Sequence, residues 1–172
     1  MKQFILYNPL AGNGAAKEAA ECLAAASSAE AVLFPVTEIT DYATFLAQIT
    51  PEDTLTVCGG DGTLNRFVND TAGLEIPCEV YYLAAGSGND FLRDLDKTPD
   101  GTPVCITKYI RDLPVTEVKG KTYRFLNNVG YGIDGYCCEV GDELKAKSVK
   151  AVNYTSIAIK ADNAPLPAFS PS

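Results

Sequence analysis

The sequence contains no histidine among its 172 residues. This absence excludes a Ser-His-Asp triad, a histidine-ligated metal and a histidine general base. Any acid or base in this chain must therefore be a carboxylate, a lysine, a cysteine or a tyrosine.

Long apolar runs and paired cysteines are also missing. No run approaches the roughly 20 residues that cross a bilayer, and the amino end, MKQFILYNP, is typical of a buried strand rather than a signal peptide. We therefore expect a cytoplasmic protein, with peripheral contact at a membrane surface left open. The six cysteines form no CxxC pair, which argues against a zinc site or a disulfide framework and favours small buried thiols.

Positive charge is in the minority, and the formal net charge is -8. Nucleic acid is therefore not an expected partner, because its binding depends on many lysine and arginine contacts with phosphate. A phosphorylated metabolite remains compatible with this charge when backbone amides and a divalent cation bind it.

Strand and helix patterns alternate along the first part of the chain, which predicts an α/β fold with three layers, a mainly parallel sheet flanked by helices. The predicted strands are residues 4–7, 31–36, 54–58 and 79–83. The predicted helices are residues 15–26, residues 41–49 capped by Thr40, one that begins near Gly62, a turn through Arg93, and residues 104–110.

The pattern changes near Asp112, and we predict a domain boundary near residues 113 and 114. The predicted domains are residues 1–113, an α/β nucleotide-binding domain; residues 114–161, the start of a β-rich domain; and residues 162–172, a disordered tail. Residues 115–118 and 123–129 are predicted to form an antiparallel hairpin, with helices at 134–139 and 149–160. We expect the hairpin to expose apolar surface, which favours association between copies of the chain.

Three glycine-rich segments follow predicted strands: NPLAGNG, GGDGT and AAGSGND. Loops beyond the carboxyl ends of parallel strands line one crevice, so these distant segments are predicted to meet around one ligand. Glycine lets backbone amides approach phosphate oxygens, and the helix that begins near Gly62 adds its positive end. The predicted ligand is therefore a polyanion.

Asp61 is the acidic residue of the GGDGT loop, and a carboxylate beside phosphates needs a cation between them. Mg²⁺ is the expected cation, so Asp61 is the candidate residue for metal binding or proton transfer. The alternative interpretation is that Asp61 caps the helix that follows it. Asp90 and Arg93 are either an ion pair that holds the crevice together or substrate contacts.

These segments resemble the diacylglycerol kinase catalytic domain family. NPLAG resembles its first loop, Thr37 a threonine after the second strand, GGDGTLN its nucleotide-binding signature, and GSGNDFLR its GTGNDFAR segment. The resemblance implies an ATP-dependent lipid kinase, built like NAD kinase and phosphofructokinase, that uses Mg²⁺ and transfers the ATP γ-phosphate to diacylglycerol or a related lipid alcohol at a membrane surface. The residues that it implies for nucleotide binding are Asn8, Thr37, Gly59, Gly60, Asp61, Gly62, Thr63, Leu64, Asn65, Gly86 and Ser87.

The chain also departs from the family pattern. Arg66 stands where the family usually has glutamate, and Thr116 stands where it commonly has an aspartate of an acidic and metal network. The resemblance ends near Ala161, within the second domain that supplies the family's acceptor-activating acid, so we expect a truncated domain with little lipid kinase activity alone. Two alternatives are an NAD kinase-like phosphotransferase, which shares the GGDGT loop, and a nucleotide-binding module without catalysis.

Overall fold

The computed structural model describes residues 1–86 and 88–127, which form a central sheet, flanking helices and a hairpin. The strands are β1 (Lys2–Tyr7), β2 (Glu30–Pro35), β3 (Thr54–Gly59), β4 (Glu79–Ala84), β5 (Val104–Cys105), β6 (Val115–Val118) and β7 (Lys121–Arg124). The helices are α1 (Ala15–Ala26), α2 (Tyr42–Leu46), α3 (Asp61–Asp70) and α4 (Asp90–Asp94), with 3-10 turns at Ala11–Gly14 and Val36–Glu38.

The central sheet has the strand order β2-β1-β3-β4-β5. Its first four strands are parallel, and β5 is antiparallel to β4. Because successive side chains of a strand point to opposite faces, the sheet contributes to two separate cores. Ile5 and Cys58 pack against Ala16 and Ala20 of α1 on one face, whereas the other face packs with α2, α3 and α4. The predicted three-layer, mainly parallel α/β fold is confirmed.

The second helix is shorter than predicted and has a different cap. The Asp41 carboxylate accepts hydrogen bonds from the amides of Ala43 at 3.0 Å and Thr44 at 3.2 Å, so Asp41 is the N-cap and the prediction of Thr40 is wrong. The helix ends at Leu46, and a further turn carries Ile49 into the core. Two adjacent residues of good capping type make the first helical residue ambiguous in the sequence.

The helix predicted at residues 104–110 is wrong. Val104 and Cys105 instead form β5, opposite Tyr82 and Tyr81, and the amide of Ile106 donates to the carbonyl of Val80 at 2.8 Å. This pairing satisfies backbone groups at the edge of β4 that a local helix would leave to solvent. A short run rich in β-branched residues does not distinguish the two outcomes by periodicity alone.

The predicted hairpin is confirmed, although β7 covers Lys121–Arg124 rather than residues 123–129. Lys119 and Gly120 form its two-residue loop with φ angles of 51° and 73°, as a type I′ turn requires. The hairpin and the sheet belong to one compact unit, Met1–Asn127, and the boundary near residues 113 and 114 stays a prediction. The helices predicted at 134–139 and 149–160 and the tail at 162–172 lie outside the described residues. In the described part of the chain, no helix is long and apolar enough to span a membrane.

The cysteines predict a selective pattern of chemical labelling. Cys58 and Cys78 are buried, as expected, whereas Cys22 and Cys105 are exposed, so the expectation of buried thiols is wrong for those two. Burial raises the pKa of the Cys58 thiol to about 12 and that of Cys78 to about 11, which removes their thiolate at pH 8. We expect iodoacetamide to label the buried pair roughly a hundredfold more slowly than the exposed pair. Peptide mass mapping over time checks this, and rapid labelling of folded Cys58 would contradict the packing of α1 on the sheet.

Candidate functional site

The chain changes direction across the sheet between β1 and β3. After β1 it forms β2 on one side, and it then crosses back to place β3 on the other side of β1. At such a reversal the loops beyond two neighbouring parallel strands diverge and leave a crevice, which is where open α/β sheets bind ligands. The residues that follow these two strands are Asn8 and Gly60. The strand order therefore places both predicted residues at the expected position of a binding site.

The first to fourth loops are those that follow β1 to β4. Asn8 links the first loop to the start of α3. Its amide N–H donates to the carbonyl of Cys58 at 3.2 Å, which extends the pairing of β1 with β3. Its side-chain Nδ2 donates to Thr63 Oγ1 at 3.0 Å, and its Oδ1 accepts from the amide of Leu10 at 3.0 Å. Both ends of the Asn8 side chain are thus bound, which fixes the loop against the helix.

The loops also touch through their glycines. A Cβ added at Gly86 would lie 2.4 Å from the Cα of Gly60, so the third and fourth loops meet backbone to backbone. A Cβ at Gly12, where φ is 59°, would lie 2.5 Å from the carbonyl oxygen of Ala85. Only residues without a side chain allow this approach. Three of the loops that the sequence predicted to converge are therefore in contact.

Tyr82 supports the third loop from beneath. Its hydroxyl donates to the carbonyl of Gly59 at 3.0 Å inside the core. Burial, with a smaller contribution from the charge of Asp61, raises the pKa of this hydroxyl well above its usual value, so it remains a donor. A Cβ at Gly59 would lie 2.6 Å from Thr63 Oγ1, so this glycine is required for α3 to pack on its own loop.

Asp61 joins the third loop to the fourth. It is the first residue of α3, yet its carboxylate caps α4: Oδ2 accepts from the amide of Asp90 and Oδ1 from the amide of Phe91, both at 3.1 Å. The interpretation of Asp61 as a cap for its own helix is therefore wrong, since Gly60 is the N-cap there. The carboxylate is only partly buried, and each oxygen retains capacity to accept a further contact.

The start of α3 offers backbone donors beside that carboxylate. The carbonyl of Gly60 accepts the amides of Thr63 at 2.9 Å and Leu64 at 3.1 Å. The amides of Asp61 and Gly62 have no hydrogen-bond partner among residues 1–86 and 88–127. Free N–H groups at the positive end of a helix attract anions.

The remaining residues that the sequence predicted for nucleotide binding are Thr37, Leu64, Asn65 and Ser87. Thr37 is exposed in the 3-10 turn after β2, at the same sheet edge, and it makes no hydrogen bond to the described residues of the other loops. The side chain of Leu64 is fully buried in the core, so it has no access to a ligand, while Asn65 is exposed. Ser87 lies outside the described residues. The structure brings together Asn8, Gly59, Gly60, Asp61, Gly62, Thr63 and Gly86.

Asn89 is a site residue that the sequence analysis did not single out. It begins α4 in the left-handed conformation, with φ of 57°, and its Nδ2 donates to the carbonyl of Gly86 at 3.1 Å. Its Oδ1 is buried and has no hydrogen-bond partner in the described part of the chain. The sequence signal for Asn89 was its position in the GSGND segment. Asp90 and Arg93 form an exposed ion pair, which contributes little to stability.

The donors at this edge fit a cation shared with a ligand rather than a closed metal site. No group of three or more acidic or thiol side chains suited to a metal occurs within the described residues. Mg²⁺ typically takes one or two carboxylates and completes its shell with waters and phosphate oxygens, and the Asp61 carboxylate could supply one of these ligands. Thr116, half-buried in β6 opposite Tyr123, supplies no carboxylate.

A cleft of about 790 Å³ lies elsewhere, between the end of α3, the start of β4 and β7. Its lining is mixed, with Val68, Ile76 and Val80 among the apolar residues and Arg111 and Arg124 among the charged ones. None of the predicted site residues lines it. The carboxylate and the free amides described above lie instead at the carboxyl edge of the sheet, so that edge is the better candidate.

The family follows from a comparison with known domains. Residues 2–118 match the diacylglycerol kinase catalytic domain. The chain belongs to the diacylglycerol kinase catalytic domain family. The match covers more than half of the chain, contains all four loops and ends with β6, and it supports a kinase-like phosphotransferase at the level of the family. No curated protein and no solved structure matches the chain significantly.

Proposed function

We propose that this chain binds ATP with Mg²⁺ between the loops that follow β1, β3 and β4, and transfers the γ-phosphoryl group, at the low rate expected of the chain alone, to the hydroxyl of diacylglycerol or a related lipid alcohol. The observation that carries the proposal is the position of Asp61. Its carboxylate lies at the start of α3, beside two amides that have no partner among the described residues.

The amides account for the phosphates. Those of Asp61 and Gly62 lie at the positive end of a ten-residue helix, which favours a bound anion. Neither Gly60 nor Gly86 carries a side chain at their contact, so the backbone there can approach a polyphosphate closely. Asn8 and Thr37, which follow β1 and β2 on one side of β3, are the proposed contacts with the remainder of the nucleotide.

The carboxylate accounts for the cation. Asp61 would hold Mg²⁺ directly or through water. The bound Mg²⁺ would neutralise the negative charge that develops on the phosphate oxygens during phosphoryl transfer. The amides of Asp90 and Phe91 fix the Asp61 carboxylate before any ligand arrives. A preorganised charge of this kind stabilises a transition state without the cost of reorientation. Phosphoryl transfer depends chiefly on such positioning, so a chain without histidine is compatible with it.

The proposed acceptor is a lipid alcohol, so the working protein would bind peripherally at a membrane surface. Titration calorimetry with ATP, in the presence of Mg²⁺ and then of EDTA, tests the nucleotide site. We expect Mg²⁺ to strengthen binding by roughly tenfold or more, because it neutralises the phosphates beside Asp61. Absence of ATP binding at millimolar concentration would refute the proposal.

Offering radiolabelled ATP with dispersed diacylglycerol, and separately with NAD, tests the acceptor. Label on the lipid would support the proposed reaction. Label on NAD would favour an NAD kinase-like phosphotransferase. Binding of ATP without transfer to either would favour a nucleotide-binding module.

A further inference from the structure

Asn69, near the end of α3, makes three side-chain hydrogen bonds. Its Oδ1 accepts from the amide of Arg124 at 2.8 Å, and its Nδ2 donates to the carbonyl of Arg124 at 2.9 Å. Its Nδ2 also donates to the carbonyl of Asn65 at 2.8 Å, one turn earlier in the helix. The amide group therefore uses both of its N–H donors and its oxygen.

The two bonds to Arg124 reproduce the pairing that a neighbouring strand would give. Arg124 is the last residue of β7, and its N–H and C=O both meet the side chain of Asn69. The bond to Asn65 holds the rotamer of Asn69 against its own helix. Asn69, in the last turn of α3, thus pairs with the backbone of β7 as a residue of an adjacent strand would, although Arg124 is 55 positions away in sequence.

A second bond attaches the segment after β7 to α4. Asn127 Nδ2 donates to the carboxylate of Asp94, the last residue of α4, at 2.7 Å. The start of α4 is in turn held by Asp61, the first residue of α3. The two helices that carry the proposed phosphate and metal groups are thus joined to each other at their amino ends and to the chain around β7 at their other ends.

We propose that Asn69 is a positioning residue that couples β7 to the nucleotide site, so that occupancy at the start of α3 stabilises the Asn69–Arg124 contact. The coupling rests on the proposed function, because it requires that Mg²⁺ and ATP bind beside Asp61. α3 is ten residues long and packs in the core through Leu64, Phe67 and Val68, so we expect its two ends to respond together. A ligand that fixes its first turn therefore restricts its last turn as well.

Hydrogen exchange at the Arg124 amide tests the contact without any ligand. We expect Asn69→Ala to accelerate this exchange by roughly tenfold or more, because the acceptor is lost and β7 gains freedom. Asn69→Asp has the same shape but places a carboxylate oxygen against the carbonyls of Arg124 and Asn65. Because these oxygens repel each other, we expect this variant also to accelerate exchange at the Arg124 amide. Asp70→Asn is the matched control on the exposed side of the helix, and it should leave the exchange unchanged. Wild-type exchange in both Asn69 variants would overturn the contact in solution.

Exchange with and without Mg²⁺ and ATP then tests the coupling. In the wild-type protein and Asp70→Asn we expect the nucleotide to slow exchange at Arg124 by about fivefold or more, and in Asn69→Ala to have no such effect. Linkage is reciprocal, so Asn69→Ala should weaken ATP binding by the same factor, measured by calorimetry. A contact that only stabilises the fold would alter neither quantity in this paired way.

The two failures are distinguishable. If the wild-type protein binds Mg²⁺ and ATP but exchange at Arg124 does not respond, the coupling is wrong and the proposed function stands. If the wild-type protein does not bind ATP, both are overturned, while the exchange without ligand still reports the contact itself. Thermal unfolding of each variant shows that every comparison is made on folded protein.

Discussion

Asp61→Asn is expected to abolish the effect of Mg²⁺ on ATP affinity while the protein stays folded. Asparagine keeps the shape and one acceptor oxygen, but it is neutral and a poor ligand for Mg²⁺. The loss of one of the two bonds to Asp90 and Phe91 should lower the free energy of unfolding by about 1 kcal/mol. We expect the ratio of ATP dissociation constants without and with Mg²⁺ to fall from roughly ten to about one, and phosphoryl transfer to fall by roughly 10²- to 10³-fold.

Two further variants separate the roles of the carboxylate. Asp61→Ala removes both bonds to α4 and should destabilise the fold by about 1–2 kcal/mol, as the loss of a helix cap does. Asp70→Asn changes the net charge by the same amount on the same helix and should retain the wild-type response to Mg²⁺. If Asp61→Asn also retained that response, Asp61 would be only a cap for α4, and the proposed metal site would be wrong.

Much of the fold was predictable because it depends on local patterns. The helix predicted at residues 15–26 is α1 with the same bounds, since an alanine-rich segment has strong helix propensity and its small side chains pack closely on the sheet. Four strands were predicted to within two residues at each end, because their apolar runs end in turn-forming residues. The positions of three loops at one edge followed from the parallel arrangement alone.

The wrong predictions of a helix at residues 104–110 and of Asp61 as a cap for its own helix share one physical cause, which is that the deciding partner is distant in sequence. Residues 104–106 are extended because the edge of β4 needs backbone partners, and no local periodicity reports that edge. The role of Asp61 as a cap for α4 depends on a helix about 30 residues later. Asn69 looks like an ordinary polar helix position until β7 is placed beside it.

The site was therefore predictable in composition but not in construction. The glycines and the aspartate showed which chemistry the loops suit, and the sheet order showed where they meet. The hydrogen bonds that hold the loops in place run from Asn8 to Thr63, from Tyr82 to Gly59 and from Asn89 to Gly86. The motifs contain Asn8 and Asn89 but do not show which groups they bond, and Tyr82 belongs to no motif, so only the folded structure reveals these contacts.

Gly86→Ala is expected to separate the third and fourth loops. Its Cβ would lie 2.4 Å from the Cα of Gly60 and 3.3 Å from its nitrogen, far inside the roughly 3.5–4.0 Å at which carbon atoms pack. Both atoms are backbone, so no side chain can rotate away and the loops must move. We expect the free energy of unfolding, measured with urea, to fall by about 2–3 kcal/mol. A shift of about 1 Å between Gly60 and the fourth loop should also reduce phosphoryl transfer by roughly a hundredfold.

Gly62→Ala is the matched control within the same motif. No atom lies within 4 Å of a Cβ at this position, and its place in the first turn of α3 requires no positive φ, so the fold does not require glycine here. We expect its stability to stay unchanged or to rise by up to about 1 kcal/mol. Any loss of ATP affinity in Gly62→Ala then reports contact with the ligand, whereas the loss in Gly86→Ala reports the geometry of the loops. Wild-type stability in Gly86→Ala would show that the two loops are not in contact in solution, and the crevice as described would be wrong.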